Sequence, residues 1–132
     1  MQIPDNVKVY EHPLATYWFD ENGFLNVISK KAERTIETMT DYFLDIKKVN
    51  GGKKVFVISD VTAASPLDKQ TRAFVYEEMK ENYLALSLIS HSPVGRMIGN
   101  IIFALSTPVL PIKMFNNEKE AREWLKTMKD KK

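Results

Sequence analysis

The sequence predicts an α/β fold, in which an N-terminal antiparallel hairpin continues into a mostly parallel sheet with β-α crossovers. The hairpin is predicted because the turn signal Asp20-Glu21-Asn22-Gly23 separates residues 15–19 from residues 24–28, both rich in aromatic and β-branched side chains. Further along, short apolar runs alternate with segments of helical periodicity. Each later pair of strands is thus connected through a helix, which is long enough for a parallel crossover.

The first half of the chain is expected to contain the hairpin, one helix and one buried strand. Residues 7–10 extend the first strand, up to a bend at Pro13. Thr35 is the predicted N-cap of the helix, and Gly51-Gly52 end it. Residues 55–58 form a continuous apolar run, as expected for a strand buried on both faces. The inner face of the helix is predicted from spacings of three and four residues: Ile36, Met39, Phe43, Ile46 and Val49.

Two serine–proline pairs predict the starts of the next two helices, because serine caps a helix and proline favours its first position. The helix that begins at Ser65-Pro66 is expected to run to about Asn82, and the helix that begins at Ser92-Pro93 to cover residues 93–106. The remaining predicted elements are strands at residues 84–89 and 112–115, and a last helix capped by Asn117 with Ala121, Trp124, Leu125 and Met128 on its inner face.

The composition is typical of one globular domain. Hydrophobic residues make up 44% of the 132 residues, enough to bury a core, so residues 1–132 are predicted to form a single domain with residues 126–132 as a frayed basic tail. A formal net charge of +2 does not favour nucleic acid or an anionic membrane as a partner. The start lacks a secretory signal, and the longest apolar run, Ile101–Leu105, is too short to cross a bilayer, which predicts a cytoplasmic protein.

Four parts of the chain carry a resemblance to a known family: Trp18–Leu25, Val55–Asp60, Ser92–Asn100, and Phe115 with Glu120–Leu125. With the order of elements, they make the chain similar to the STAS domain, the SpoIIAA-like fold of anti-sigma-factor antagonists and sulfate-transporter tails, and especially to its stand-alone bacterial members of unassigned function. The resemblance implies a non-enzymatic binding or regulatory module. In phosphorylation-regulated members, the loop after the central strand carries an Asp-Ser-Ser-Gly type motif. Residues 61–68 lack that motif, so the phosphorylation switch is not carried over.

Polar residues are expected to converge where two predicted parallel strands end. Helix N-termini there would favour an anion, and a guanidinium one turn into the second helix could bind a phosphate or carboxylate. Ordinary helix capping is the alternative interpretation of the same residues. The candidate anion-binding rim consists of Asp60, Thr62, Ser65, His91, Ser92 and Arg96.

The segment between Glu81 and Glu118 contains 36 residues without an acid and only two bases, Arg96 and Lys113. Its helix is expected to bury the stripe Val94, Met97, Ile98, Ile101, Ile102 and Leu105. The opposite face, with the candidate interface residues Gly95, Gly99, Asn100 and Phe103, predicts self-association, most simply as a homodimer. The alternative is a carrier of a small amphiphilic or anionic ligand, with a cavity lined by Val94, Ile98 and Ile102 and the ligand head near Arg96.

The sequence carries no catalytic signature. A small hydrolase using Ser65 and His91 is a remote alternative, because the chain has no Gly-x-Ser-x-Gly elbow. No cofactor is predicted, since the five glycines do not form a Gly-x-Gly-x-x-Gly motif. No metal site is predicted either, because the chain has no cysteine and its two histidines, His12 and His91, lie far apart in sequence. A non-enzymatic protein is therefore expected.

Overall fold

The computed structural model describes residues 1–131, in which six strands form one mixed sheet and four helices cover it. The strands lie in the sheet in the same order as in the chain. In sequence order the elements are β1 (Tyr10–His12), β2 (Ala15–Phe19), β3 (Leu25–Ser29), α1 (Ile36–Asn50), β4 (Val55–Asp60), α2 (Lys69–Asn82), β5 (Tyr83–Ile89), α3 (Pro93–Phe103), β6 (Ile112–Phe115) and α4 (Glu118–Asp130).

The sheet topology confirms the predicted fold class. Strands β1, β2 and β3 are antiparallel neighbours, whereas β3, β4, β5 and β6 run parallel to one another. Gly23 closes the hairpin turn with a φ of 78°, a conformation that glycine adopts without strain. The predicted extension of the first strand over residues 7–10 is wrong. Its last residue, Tyr10, instead begins the separate strand β1, which turns back at Pro13 to pair with β2.

Three predicted helix caps are confirmed. The Thr35 side chain accepts a hydrogen bond from the Thr38 amide, the Ser92 side chain from the Gly95 amide, and the Asn117 side chain from the Glu120 amide. Gly51 ends α1 in the left-handed conformation, with a φ of 69°. These caps satisfy amide and carbonyl groups that the helices leave unpaired at their ends.

Three helix boundaries differ from the predictions. α2 begins at Lys69, because the Asp68 carboxylate accepts a hydrogen bond of 2.8 Å from the Thr71 amide, and Ser65-Pro66 remain in the preceding loop. α3 ends at Phe103. α4 continues to Asp130, because its buried inner face extends the contact with the sheet, so residues 126–130 are not a frayed tail. Lys132, the end of that predicted tail, lies outside the described residues.

The cap at Asp68 gives a pH-dependent prediction. Hydrogen bonds from the Thr71 amide and side chain hold the pKa of Asp68 below its ordinary value. The ionised Asp68 carboxylate therefore stabilises the fold at pH values above its unfolded-state pKa. This stabilisation is lost as the pH falls through its folded-state pKa. We expect Asp68→Ala to lower the melting temperature at pH 7. Asp68→Asn should have a melting temperature closer to that of the wild type, because both Asp and Asn cap helices well. Thermal unfolding from pH 7 to pH 3 should show the Asp68→Ala deficit shrinking below about pH 4. A deficit that is constant over this range would contradict the assignment.

The two faces of the sheet are covered differently. On one face, Val55, Val57 and their neighbours pack against α1 and α2, with part of α3. On the other face, Phe56 and Ile58 pack in a cluster with α4, to which Phe24 and Met1 also contribute. Since successive side chains of a strand point to opposite faces, this arrangement explains the continuous apolar run in β4.

Candidate functional site

The carboxyl ends of β4 and β5 lie side by side, as the predicted rim requires. The two strands are parallel neighbours with Asp60 opposite Ile89, and the Val61 amide donates a hydrogen bond of 2.8 Å to the Ile89 carbonyl. The loop after β4 and the start of α3 are therefore adjacent. In open α/β sheets, this edge is where ligands commonly bind.

Asp60 is buried at this edge and is held by several donors. Its carboxylate accepts hydrogen bonds from the Thr62 amide at 3.0 Å and the Thr62 hydroxyl at 2.6 Å, and from the Met1 ammonium at 2.9 Å. Burial by itself would raise the pKa of Asp60, but these hydrogen bonds and the ammonium charge outweigh it and hold that pKa below its ordinary value. Asp60 is thus a charged structural anchor of the loop.

Thr62 and Ser92 link the two loops. The Thr62 hydroxyl accepts a hydrogen bond of 2.9 Å from the His91 amide, and the Ser92 hydroxyl donates one of 2.8 Å to the Thr62 carbonyl. The Gly95 amide, in the first turn of α3, donates to the Ser92 hydroxyl at 3.0 Å. The His91 amide, the Ser92 hydroxyl and the Gly95 amide therefore form hydrogen bonds within the protein, and the capping interpretation explains them without a bound anion.

Two of the predicted rim residues, Ser65 and Arg96, lie apart from this group. Ser65 lines a cavity inside the protein, whereas His91 is exposed, and no hydrogen bond joins them within residues 1–131. Arg96 is exposed and its guanidinium donates to the Asn116 side chain at 3.2 Å, next to β6. The structure thus brings together Asp60, Thr62, His91 and Ser92, and separates Ser65 and Arg96 from them.

The orientation of α3 is opposite to the prediction for its two glycines. Gly95 and Gly99 are buried against the sheet, not on the outer face. A Cβ atom on Gly95 would lie 2.4 Å from the Ser90 hydroxyl oxygen and 2.6 Å from the Val61 carbonyl oxygen. Gly95 is needed because the helix backbone lies too close to the Val61 carbonyl for a side chain, whereas Gly99 faces only the flexible Met114 side chain. They are packing positions within the domain.

The outer side of α3 carries apolar side chains that were predicted to point inward. Val94, Met97 and Ile101 are 53%, 52% and 39% exposed, and we call these residues the α3 stripe. Asn100 and Phe103 are exposed as predicted. Phe103, however, does not belong to the α3 stripe. It follows Ile101 by two residues, and two residues of an α-helix correspond to a rotation of about 200°, so the two side chains point to nearly opposite sides. Of the six residues that were predicted to face inward, three are buried or half-buried: Ile98, Ile102 and Leu105.

A mostly apolar cavity of about 100 Å³ lies between the sheet and the layer formed by α1, α2 and α3. Ile98 and Ile102 line it, as the carrier alternative predicts, but Val94 does not. Arg96 is also absent from its lining, so a ligand in this cavity would not have its head near Arg96. The arginine that lines this cavity is Arg34, in the loop between β3 and α1.

Arg34 is half-buried and bonded only to backbone carbonyls. Its guanidinium donates to the carbonyl oxygens of Leu14 at 2.8 Å, Lys30 at 3.0 Å and Ala32 at 3.0 Å. Within residues 1–131, no carboxylate lies within 4 Å of it. Burial lowers the pKa of Arg34. No sequence signal marked this residue, because a basic loop such as Lys30–Arg34 is common on protein surfaces and carries no binding motif.

Two further features bear on the class of protein. Residues 1–131 contain no cluster of three or more His, Cys, Asp or Glu side chains that could hold a metal ion. In that same part of the chain, no helix is both long enough and apolar enough to span a membrane.

Comparisons with known proteins agree with the fold. The structure is similar to the crystal structure of an uncharacterised protein of the DUF3478 family with a SpoIIAA-like fold, from Shewanella loihica PV-4. The TM-score is 0.50 at 13% sequence identity, and the match covers 90% of this chain and 91% of that chain. The chain therefore has a SpoIIAA-like fold.

No curated protein matches it. The model of a domain of unknown function, DUF7793, matches residues 17–129, and the chain belongs to this family.

Proposed function

We propose that the protein is a non-enzymatic binding module of the STAS-like class that acts through protein contact, with a second copy of the same chain as its partner. The observation that carries the proposal is the α3 stripe, in which Val94, Met97 and Ile101 are exposed. Spacings of three and four residues place these side chains on one side of the helix. A homodimer, a regulatory role and a cytoplasmic location are parts of this proposal.

The chemistry around the α3 stripe favours burial against another apolar surface. Removing apolar surface from water is favourable by about 25 cal/mol for each Å², and this gain opposes the entropy cost of association. No acidic residue occurs from residue 82 to residue 117, so no carboxylate of this segment would lose its hydration on contact. In a two-fold dimer, the same patch of each copy forms the interface, so the α3 stripe would meet itself.

We expect Met97→Asp to shift a dimer to monomers, because the contact would bury an unpaired carboxylate. The dissociation constant should rise at least about tenfold, which corresponds to about 1.4 kcal/mol. Sedimentation velocity over a range of micromolar concentrations measures this change.

Phe103→Asp is the matched control, because it introduces the same charge on the same helix but away from the α3 stripe. It should leave the dimer intact. A wild-type protein that sediments as a monomer at these concentrations would contradict self-association. Equal dissociation by both variants would contradict the assignment of the interface to the α3 stripe.

A second candidate function, carrier of a small amphiphile, is favoured by the cavity of about 100 Å³. A smaller hollow of about 50 Å³ between α2 and α3 shares Val75, Met79, Ile98 and others of its lining residues. Together the two spaces amount to about 150 Å³, and an engineered apolar cavity of that size can hold benzene, so an apolar group of about six carbons fits when the shared side chains move apart. In this proposal, the protein binds a compact ligand and not a long acyl chain.

The hydrolase alternative has no comparable support. Ser65 lines the cavity, whereas His91 is exposed at the end of β5 and its amide is bonded to Thr62. A serine nucleophile needs a base within hydrogen-bond reach. The lack of enzymatic activity is therefore part of the function we propose.

A further inference from the structure

Three serines that line the cavity lie where the parallel strands end. Ser29 is the last residue of β3, Ser59 is the penultimate residue of β4, and Ser65 lies in the loop that follows β4. Ser29 and Ser59 share one sheet face with Val27 and Val57, because side chains alternate along a strand. With Arg34, they form what we call the Arg34 pocket, the polar end of an otherwise mostly apolar cavity.

The donors of the Arg34 pocket have unused capacity. The hydroxyls of Ser29, Ser59 and Ser65 make no hydrogen bond to another residue within 1–131. All three serines are half-buried. The guanidinium of Arg34 also has more N–H groups than the three that bond to carbonyls.

The charge of Arg34 lacks a counterion within the same residues. No acidic side chain lines the cavity, and the carbonyls around Arg34 are dipoles and not charges. A half-buried cation loses part of its hydration, and an anion placed beside it compensates for this loss. The exposed Arg96 is different, because it lies outside the cavity and remains hydrated.

We propose that the Arg34 pocket binds the carboxylate head of a small amphiphile whose apolar tail lies in the cavity beyond it. This inference rests on the proposed carrier function and names its ligand class. Arg34 and the serine hydroxyls would donate hydrogen bonds to the carboxylate, and the tail would contact apolar residues such as Val57, Met79 and Leu86. The combined volume of the cavity and the adjoining hollow suits a tail of about six carbons.

Three probes separate the contributions of head and tail. Hexanoate carries both parts, 1-hexanol carries only the tail, and acetate carries only the head. Amide chemical shifts at Ser59 and Ser65 report binding in a titration of the wild-type protein. We expect hexanoate to bind about tenfold more tightly than 1-hexanol, because its head forms charge-assisted hydrogen bonds, and acetate to bind more weakly than both.

Two variants test the residues. Arg34→Ala should reduce hexanoate affinity about tenfold and leave 1-hexanol affinity unchanged, whereas Arg96→Ala, the matched control, should change neither. Since Arg34 also holds three carbonyls, Arg34→Ala could fail to fold, and Ala64→Leu is therefore a second variant. Ala64 lines the cavity, and the larger side chain should abolish binding of hexanoate in a folded protein.

The possible failures are distinguishable. Equal affinity of hexanoate and 1-hexanol for the wild-type protein would overturn the carboxylate site but leave the carrier function standing. No binding of either probe at millimolar concentration would overturn both. Binding of hexanoate that persists unchanged in folded Ala64→Leu would overturn the location in this cavity.

Discussion

Replacing Gly95 with alanine should destabilise the protein by about 2–3 kcal/mol, as measured by urea unfolding. The new Cβ would lie 2.6 Å from the Val61 carbonyl oxygen and 2.4 Å from the Ser90 hydroxyl oxygen. The carbonyl belongs to the backbone and cannot rotate away, so α3 or the loop after β4 must move. That movement would also strain the hydrogen bonds from Ser92 and His91 to Thr62 that link the two loops.

Gly99→Ala is the matched control for Gly95→Ala. Its Cβ would meet only the methyl and sulfur atoms of Met114 closer than 3 Å, and this flexible side chain can move. Both changes replace glycine within the same helix, so a gain in helix propensity of up to about 1 kcal/mol favours each variant and cannot explain a loss of stability. We expect the free energy of unfolding of Gly99→Ala to lie within about 1 kcal/mol of that of the wild type. Equal destabilisation by the two variants would contradict the assigned cause.

Arg122→Met should destabilise the protein by about 2–3 kcal/mol, because it leaves buried polar groups without a partner. Arg122 lies in α4, and its guanidinium contacts the Asp20 carboxylate at 3.0 Å and also donates to the side-chain oxygen of Asn26. Asn26 is fully buried in β3. The arginine therefore ties the helix that covers the second sheet face to the N-terminal hairpin.

Two comparisons test the explanation for Arg122. Glu118→Gln removes the charge of the more exposed partner of Arg122. It should lower the free energy of unfolding by no more than about 1 kcal/mol. Arg122→Lys keeps the positive charge but cannot reproduce the planar donor geometry, so its stability should lie between those of the wild type and Arg122→Met. If Arg122→Met unfolds at the same urea concentration as the wild type, the network does not stabilise the fold.

Much of the fold could be predicted because its signals are local. The turn at Gly23, the caps at Thr35, Ser92 and Asn117, and the strand at residues 55–58 each depend on residues close together in the chain. The parallel arrangement followed from crossover length. The start of α2 was wrong because two capping sequences stand three residues apart, and local preference alone does not decide between Ser65 and Asp68.

The candidate site was predicted less well, because its parts are distant in sequence. Asp60, Thr62 and Ser92 do meet at the expected edge, since the order of the strands places them there. The Arg34 pocket lies at the same edge but one strand further along, between β3 and β4. No motif marks it, because a basic loop and separate serines occur in many proteins.

The sequence by itself determined the hairpin, the parallel crossovers, most of the elements and the helix starts at Thr35 and Ser92, since periodicity and caps act over a few residues. Only the tertiary structure decided which side of α3 faces the sheet. Apolar residues occur around most of that helix, so its pattern has no single inner face. The side with Gly95 and Gly99 packs inward because it alone permits close approach of the backbone, and the α3 stripe is exposed as a result.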